Sequence, residues 1–443
     1  MENKNKTVLV GSLSKKDTFV PILIIGALFF IFGFISWVNS ILIPFFKIAC
    51  ELTNFESYLV TFAFYISYLV FSIPSSYLLK RIGFRKGMMV GFWMMAVGAF
   101  VFIPAAWTRA YQIFLIGLFS IGAGTALLQT AANPYITILG PKERAAQRIS
   151  IMGIFNKVAG LLAPLIFAAV ILKSSDSALF EALPRMTEAA REAALSELIE
   201  RVVLPYGIIG VVLIGLGLMI RYSSLPEIDT EHESEAVQKE NMGKTKIYHF
   251  PQLILGAVAI FLHLGTQVIS IDTIISYADW MHLDLIEAKA FPSYTLFAMI
   301  VGYVLGIWLI PKYISQVKVF QICCILGIVL SIGIIYGTQS VHFLGHESLL
   351  SIWFVVLLGL PNSLVWAGIW PLAMDGLGRF TKLGASILVM GLAGNAIMPL
   401  VYGHYADIYN PRVAYWVLVP CYLFLAYYAF WGHKLRKWLP GKN

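Results

Sequence analysis

The chain has 443 residues, of which 59% are hydrophobic and only 13% charged, with a mean hydropathy of +0.78. A soluble domain carries about a quarter charged residues, so this composition excludes a protein with an aqueous surface all round. The net charge of +8 is therefore read through membrane topology, not as a nucleic-acid footprint.

The first 18 residues are polar and basic, and the apolar run after them is too long for the core of a cleavable signal. A helix needs about 20 apolar residues to cross a bilayer. Runs of that kind predict spans 1–6 near 19–46, 57–79, 87–107, 111–138, 149–172 and 202–222, and spans 7–12 near 251–278, 290–311, 317–337, 349–374, 383–405 and 411–433. Between the two sets, residues 223–250 are charged and nearly free of aromatics, which predicts a flexible linker. The four cysteines, Cys50, Cys323, Cys324 and Cys421, have no metal-ligand spacing and are read as buried thiols.

With the N-terminus placed inside the cell, the inner segments hold 23 Lys and Arg and the outer segments 8. That asymmetry obeys the positive-inside rule and places both termini in the cytoplasm. The remaining basic residue, Lys157, lies inside span 5.

The two halves resemble each other. Setting Gly33 of span 1 on Gly265 of span 7 places Ser40 on Asp272, and Gln129 and Trp366 each stand five residues before a proline, Pro134 and Pro371. The loop LLKRIGFRKG after span 2 has a counterpart, IPKYISQVK, after span 8. Repeated halves with a site between them are the mark of secondary transporters.

Polar side chains inside spans are costly unless paired, and those retained face a cavity or the bundle interior. On span 4, Gln129 and Asn133 share a helix face, suited either to sugar hydroxyls or to bonds between helices. Trp37, Asn39 and Ser40 cluster in span 1, where a Trp face packs on a sugar ring or marks the membrane interface. Lys157 lies nine residues past Arg148, about 13 Å into span 5 at the helical rise. Three accounts stay open for it: a cation facing substrate, a structural ion pair with Asp272, or a neutral amine. Asp272, towards the outer end of span 7, is read as lining the outer vestibule or carrying a proton. His263 shares a face with Gln267 and is read as a core histidine or a titrating group.

The segments NSILIPFFK, LLQTAANPYITILGP, RISIMGIFNKVAG and DGLGRFTKLGASILVMGLAGNAIMPLVYG resemble the fucose–proton and glucose/galactose permeases of the major facilitator superfamily, over nearly the whole chain. The resemblance implies the major facilitator fold and a sugar substrate. Its proton-coupled members carry an Asp after the Asn of span 1 and a Glu before TAANP. Here Ser40 and Gln129 stand there, and Gln267 stands where a glutamate is common. In span 5 the usual Gln is Gly153, Asn156 is kept, and the next residue is Lys157. The loop after span 2 keeps Gly83, Arg85 and Lys86 but has Lys80 where an Asp is usual.

The sequence is therefore read as an all-α membrane protein of twelve transmembrane helices in two pseudo-symmetric six-helix bundles, residues 1–222 and 251–443, joined by linker 223–250. It is expected to be a monomer of the bacterial inner membrane that moves a monosaccharide, a hexose or an N-acetylhexosamine, by alternating access. The alternative substrate is an anionic sugar recognised through Lys157, with Gly153 opening space beside the lysine. Expected substrate contacts are Asn39, Ser40, Gln129, Asn133, Asn156, Lys157, Gln267, Asn362, Trp366 and Asn395. Without the family's usual carboxylates, transport is either uniport or coupled to protons through Asp272, Lys157 or His263. Gly83, Arg85 and Lys86 are expected to gate the cytoplasmic side. No catalytic residue, metal site or cofactor is expected. HExxH, GxSxG and P-loop patterns are absent from the sequence, which argues against an enzyme, and nothing resembles a channel's selectivity filter.

Overall fold

The computed structural model describes residues 7–9, 15–52, 54–139, 141–171, 173, 176, 179, 182–223, 225, 227–229, 246–283, 288 and 290–438. Most of the predicted linker lies outside them, as do the side chains of Asn39 and Ser40. Ten helical stretches among the described residues are long and apolar enough to cross a membrane. One of them, Leu59–Thr108, runs through spans 2 and 3, whose helices meet at Gly83 with φ 80° and ψ 174°. That conformation is strained for any residue with a Cβ. Span 5 is a further helix, Ala145–Ile171, and with it the expected twelve are accounted for.

Cα proximity divides the chain into two compact units. One comprises Met1–Gly26, Ala132–Lys157 and Pro226–Asn443, the other Ala27–Ala131 and Val158–Leu225. In the second unit, spans 3 and 4 approach closely through glycines. A Cβ on Gly98 would lie 2.6 Å from the Gly117 carbonyl oxygen, and one on Gly124 would lie 2.5 Å from that of Gly91. The two glycines of each span are seven residues apart, about two turns. Both contacts therefore fall on one stripe, and helices without side chains there gain van der Waals contact at close range. Aromatic rings fill one end of this unit: Phe102 stacks on Tyr206 with centroids 3.8 Å apart, and Phe46 meets Phe114 at 4.6 Å.

Two features were not expected from hydropathy. The segment between spans 5 and 6 carries a 13-residue helix, Glu188–Glu200, pinned by charge. Arg201 grips both oxygens of buried Asp176, at 2.9 and 2.8 Å, and Lys173 Nζ reaches Glu197 at 3.2 Å. Arg191 also pairs with Glu51. Between spans 9 and 10 stands a short antiparallel hairpin, Ser340–Phe343 with His346–Leu349. Leu344 and Gly345 form its turn, both with positive φ.

In the first unit, span 7 (Pro251–Asp272) packs against span 10 (Leu350–Leu357 and Gly359–Met374), span 11 (Thr381–Met390 and Gly394–Ile408) and span 12 (Pro411–Ala414 and Leu418–Phe430). Trp370, Tyr415, Tyr422 and Tyr428 are fully buried there.

Candidate functional site

Span 5 is tied to spans 7, 8 and 9 at successive heights along its first half. At its start, the Ala146 amide donates to Gln316 Oε1 at 3.2 Å, and Gln147 Nε2 donates to the Ile307 carbonyl at 2.8 Å. Higher up, a Cβ on Gly153 would sit 2.3 Å from two ring carbons of Tyr303. The tyrosine fills the place of the missing side chain. This corrects the expectation of open space beside the lysine: the gap left by glycine is closed by a neighbouring ring, itself only 4% exposed.

One turn further on, Lys157 is 5% exposed, and its ammonium donates to Gln267 Oε1 on span 7 at 3.3 Å. An amide carbonyl is a suitable partner for a buried cation because it accepts a strong hydrogen bond without bringing a second charge into the interior. Asp272 acts electrostatically on Lys157, and Lys157 in turn acts on His263. Asp272 is the last residue of its helix and is exposed. A carboxylate at a helix C-terminus is opposed by the helix dipole, and the lysine offsets that cost. His263, one turn before Gln267, is fully buried, and neither ring nitrogen has a hydrogen-bond partner among the described residues. Its ring lies 6.5 Å from that of Trp366, which in turn is 5.5 Å from Trp370. Lys157, Gln267, His263 and Trp366 thus form one neighbourhood of a cation, an amide, an imidazole and an indole.

Other expected residues divide by what surrounds them. The groups of Asn362 are engaged inside the bundle: Thr266 and Tyr422 donate to its oxygen at 3.1 and 2.8 Å, and its nitrogen donates to Ser270 at 3.4 Å. Asn395 and Asn156 are half-buried, and the Asn395 oxygen lacks a hydrogen-bond partner among the described residues. Asn133 is buried, and its amide nitrogen is likewise without a partner. In the second unit, Gln129 Nε2 donates to the Tyr68 hydroxyl at 3.3 Å. Trp37 packs on span 5 where a Cβ at Gly160 would come within 2.8 Å of the indole nitrogen.

Among the expected gating residues, Arg85 Nη1 donates to the Ser223 carbonyl that closes span 6, at 3.4 Å, and Lys86 is exposed. Sequence reasoning missed Arg148, counted only as a topology charge. It is 5% exposed and donates to the carbonyls of Ile136, Thr137 and Pro141 at 2.9, 2.7 and 2.9 Å. These carbonyls lie at the end of span 4, where helical backbone leaves acceptors unpaired and a cation is favoured. The available signal was its position, three residues after the first helical residue of span 5 and a short loop away from Pro141. Among the described residues there is no group of three or more His, Cys, Asp or Glu side chains placed to hold a metal ion.

Comparison with known proteins follows the same lines. The sequence profile of the Major Facilitator Superfamily matches residues 25–391. A glucose/galactose transporter of Brucella abortus is 31% identical over 433 residues, 97% of this chain and 98% of its own. An L-fucose-proton symporter of Escherichia coli is 29% identical over 394 residues, 88% of this chain and 87% of its own. The crystal structure of a Major Facilitator Superfamily transporter, FucP, in the outward conformation superposes with a TM-score of 0.79 at 26% identity, covering 93% of this chain and 98% of that one.

Proposed function

We propose a function from one plain premise: the chain belongs to the Major Facilitator Superfamily. It is an integral membrane protein whose relatives are transporters. It carries a monosaccharide, a neutral hexose or N-acetylhexosamine, by alternating access across the bacterial inner membrane, with both termini in the cytoplasm. The two halves 1–222 and 251–443 act as its moving bundles. The names of the relatives support the sugar class. The observation that carries the reading at the level of residues is the buried Lys157–Gln267 contact, backed by Trp366 and Asn156 nearby in the fold. An amide and an ammonium are donors and acceptors for hydroxyl groups, and an indole face stacks on a pyranose ring.

Gln129, Asn133, Asn395, Asn39 and Ser40 are assigned as further contacts. Asn362 is assigned the supporting part of holding spans 7, 10 and 12 in place, because its groups are engaged there. Arg85 and Gly83 set the inner end of the N-terminal half, and Lys86 stays at the surface.

The lysine itself favours a second reading, an anionic sugar. Two unit charges at 4 Å are worth about 4 kcal/mol at an effective dielectric of 20, enough to reorder substrate preference. Two observations support the neutral sugar over it. Asp272 offsets the charge of Lys157, and Tyr303 fills the room that a carboxylate-bearing substituent would need. Competition by neutral and acidic monosaccharides for uptake into proteoliposomes tests the choice. Neutral sugars compete best if the first reading holds, and uronates or N-acylneuraminates compete best if the second does.

Proton coupling, where it operates, runs through Lys157, Asp272 or His263, since Ser40, Gln129 and Gln267 cannot release a proton near neutral pH. If all three are replaced and sugar still alkalinises the medium, that assignment is wrong.

A further inference from the structure

A cavity of about 560 Å³ opens beside the inner end of span 8, lined by Arg144, Gln147, Val304, Ile307, Trp308, Ile310, Pro311 and Lys312. Its walls come from two places in the chain. Arg144 belongs to the connection between spans 4 and 5 and Gln147 to the first turn of span 5, and the rest to the end of span 8. The charged walls, Arg144 and Lys312, are both basic and both exposed. The apolar wall faces outwards: Val304 is 53% and Trp308 61% exposed on a helix that reads as spanning the bilayer. Trp308, Tyr313 and Lys312 also stand together. The two rings are 5.4 Å apart, and the Lys312 ammonium is 4.9 Å from the Tyr313 ring centre. Tryptophan, tyrosine and a cation grouped at the end of a span mark the headgroup level of a membrane.

We propose that this cavity binds the phosphodiester headgroup of an anionic phospholipid of the inner leaflet. Arg144 and Lys312 neutralise the phosphate, Gln147 flanks it, and the acyl chains lie along Val304 and Trp308. Basic pockets between helices on the cytoplasmic side are suited to such headgroups. The bound lipid has a mechanical consequence. Arg144 stands just before span 5 and Lys312 just after the helix of span 8, and these two helices are joined where Gln147 donates to the Ile307 carbonyl. A lipid bridging Arg144 and Lys312 therefore holds the span 4–5 connection against span 8, and favours whichever state of the transport cycle keeps that contact. The cytoplasmic placement rests on the charge asymmetry of the loops and not on the identity of the transported solute.

Thermal unfolding of the full chain in a neutral detergent tests this, with phosphatidylglycerol, phosphatidylcholine or inorganic phosphate added at equal concentration. The wild type gains a higher midpoint with phosphatidylglycerol only, and retains one equivalent of it by native mass spectrometry. Arg144→Gln/Lys312→Gln keeps its lipid-free midpoint, since both residues are exposed, and loses both the gain and the retained lipid. A double variant that keeps the gain overturns the proposal. So does a wild type stabilised equally by phosphatidylcholine. Equal stabilisation by inorganic phosphate also contradicts it, because the cavity would then be a site for free anions.

Discussion

Lys157 and Gln267, 110 positions apart in the chain, meet at 3.3 Å inside the fold. The contact joins span 5 to span 7 and so links the two sequence halves. It replaces a charge-on-charge solution with a charge on an amide. Position 267, where the sequence resemblance implies a glutamate, is a neutral amide here, and the cation that meets it stands on span 5. The local balance is kept by Asp272 and not by a direct partner of opposite sign at position 267.

Breaking this contact should therefore impair transport more than folding. A hydrogen bond to a charged group is worth about 1.5–3 kcal/mol, so Lys157→Gln and Gln267→Leu are each expected to lower uptake about tenfold or more. Lys157→Gln should leave the thermal midpoint close to that of the wild type, because it removes a buried charge and leaves an amide. Gln267→Leu should lower it, because the buried ammonium then loses the Gln267 carbonyl as an acceptor. Equal unfolding by both would show the pair to be structural.

Gly153 is expected to be intolerant of even one added carbon. A Cβ there meets the Tyr303 ring at 2.3 Å, and overpacking of this kind costs about 1–3 kcal/mol. Gly153→Ala should lower the thermal midpoint, and the loss should shrink in a Tyr303→Ala background. Non-additivity of that sign, measured as a double-mutant cycle, is the check.

The stripe at Gly91, Gly98, Gly117 and Gly124 makes a parallel prediction for assembly. Gly98→Leu forces spans 3 and 4 apart, because a Cβ there meets the Gly117 carbonyl oxygen and the Ile121 amide nitrogen, backbone atoms that cannot swing aside as the Ile121 side chain can. Loss of the folded peak in size-exclusion chromatography in detergent is expected, whereas Gly207→Leu, which has nothing within 4 Å, should be harmless.

Asp176 supplies the pH dependence. Burial pushes its carboxyl up, but the bonds from Arg201 and the Lys173 amide outweigh that and hold it below the ordinary carboxylate value. A carboxyl depressed in the folded state contributes stability that is present above the unfolded value, about 3.9, and is lost as pH falls through the lower folded value. Asp176→Asn should therefore destabilise the helix Glu188–Glu200 at pH 7, by about 2 kcal/mol. The difference from the wild type should fade in strongly acidic buffer. Hydrogen exchange of amides 188–200 reads it directly, and a difference that grows on acidification would contradict the assignment.

Much of the fold was legible in the sequence because a bilayer imposes length and apolarity on every crossing segment. The twelve spans and the turn at Gly83 follow from that and from one glycine. The hairpin after span 9 and the helix Glu188–Glu200 were not legible in this way. Both are short, polar and held by local pairs such as Arg201 with Asp176, which hydropathy averages away. At the site, Lys157 announced itself as a charge at mid-span. Its partner did not, since Gln267 is one of several intramembrane amides and only packing selects it. The same holds for Gly153: a missing side chain reads as space in one dimension, and only the third shows Tyr303 in it. Arg148 was hidden by its own charge, which fits the topology count as well as the helix cap.

The account as a whole stands on monosaccharide transport. Its most direct test is counterflow in proteoliposomes, with the lumen preloaded with a neutral hexose or N-acetylhexosamine and the same labelled sugar added outside. The account predicts a transient, saturable accumulation of label that is absent from protein-free vesicles and strongly reduced in Lys157→Gln. If no monosaccharide gives saturable exchange above protein-free vesicles, the account is contradicted.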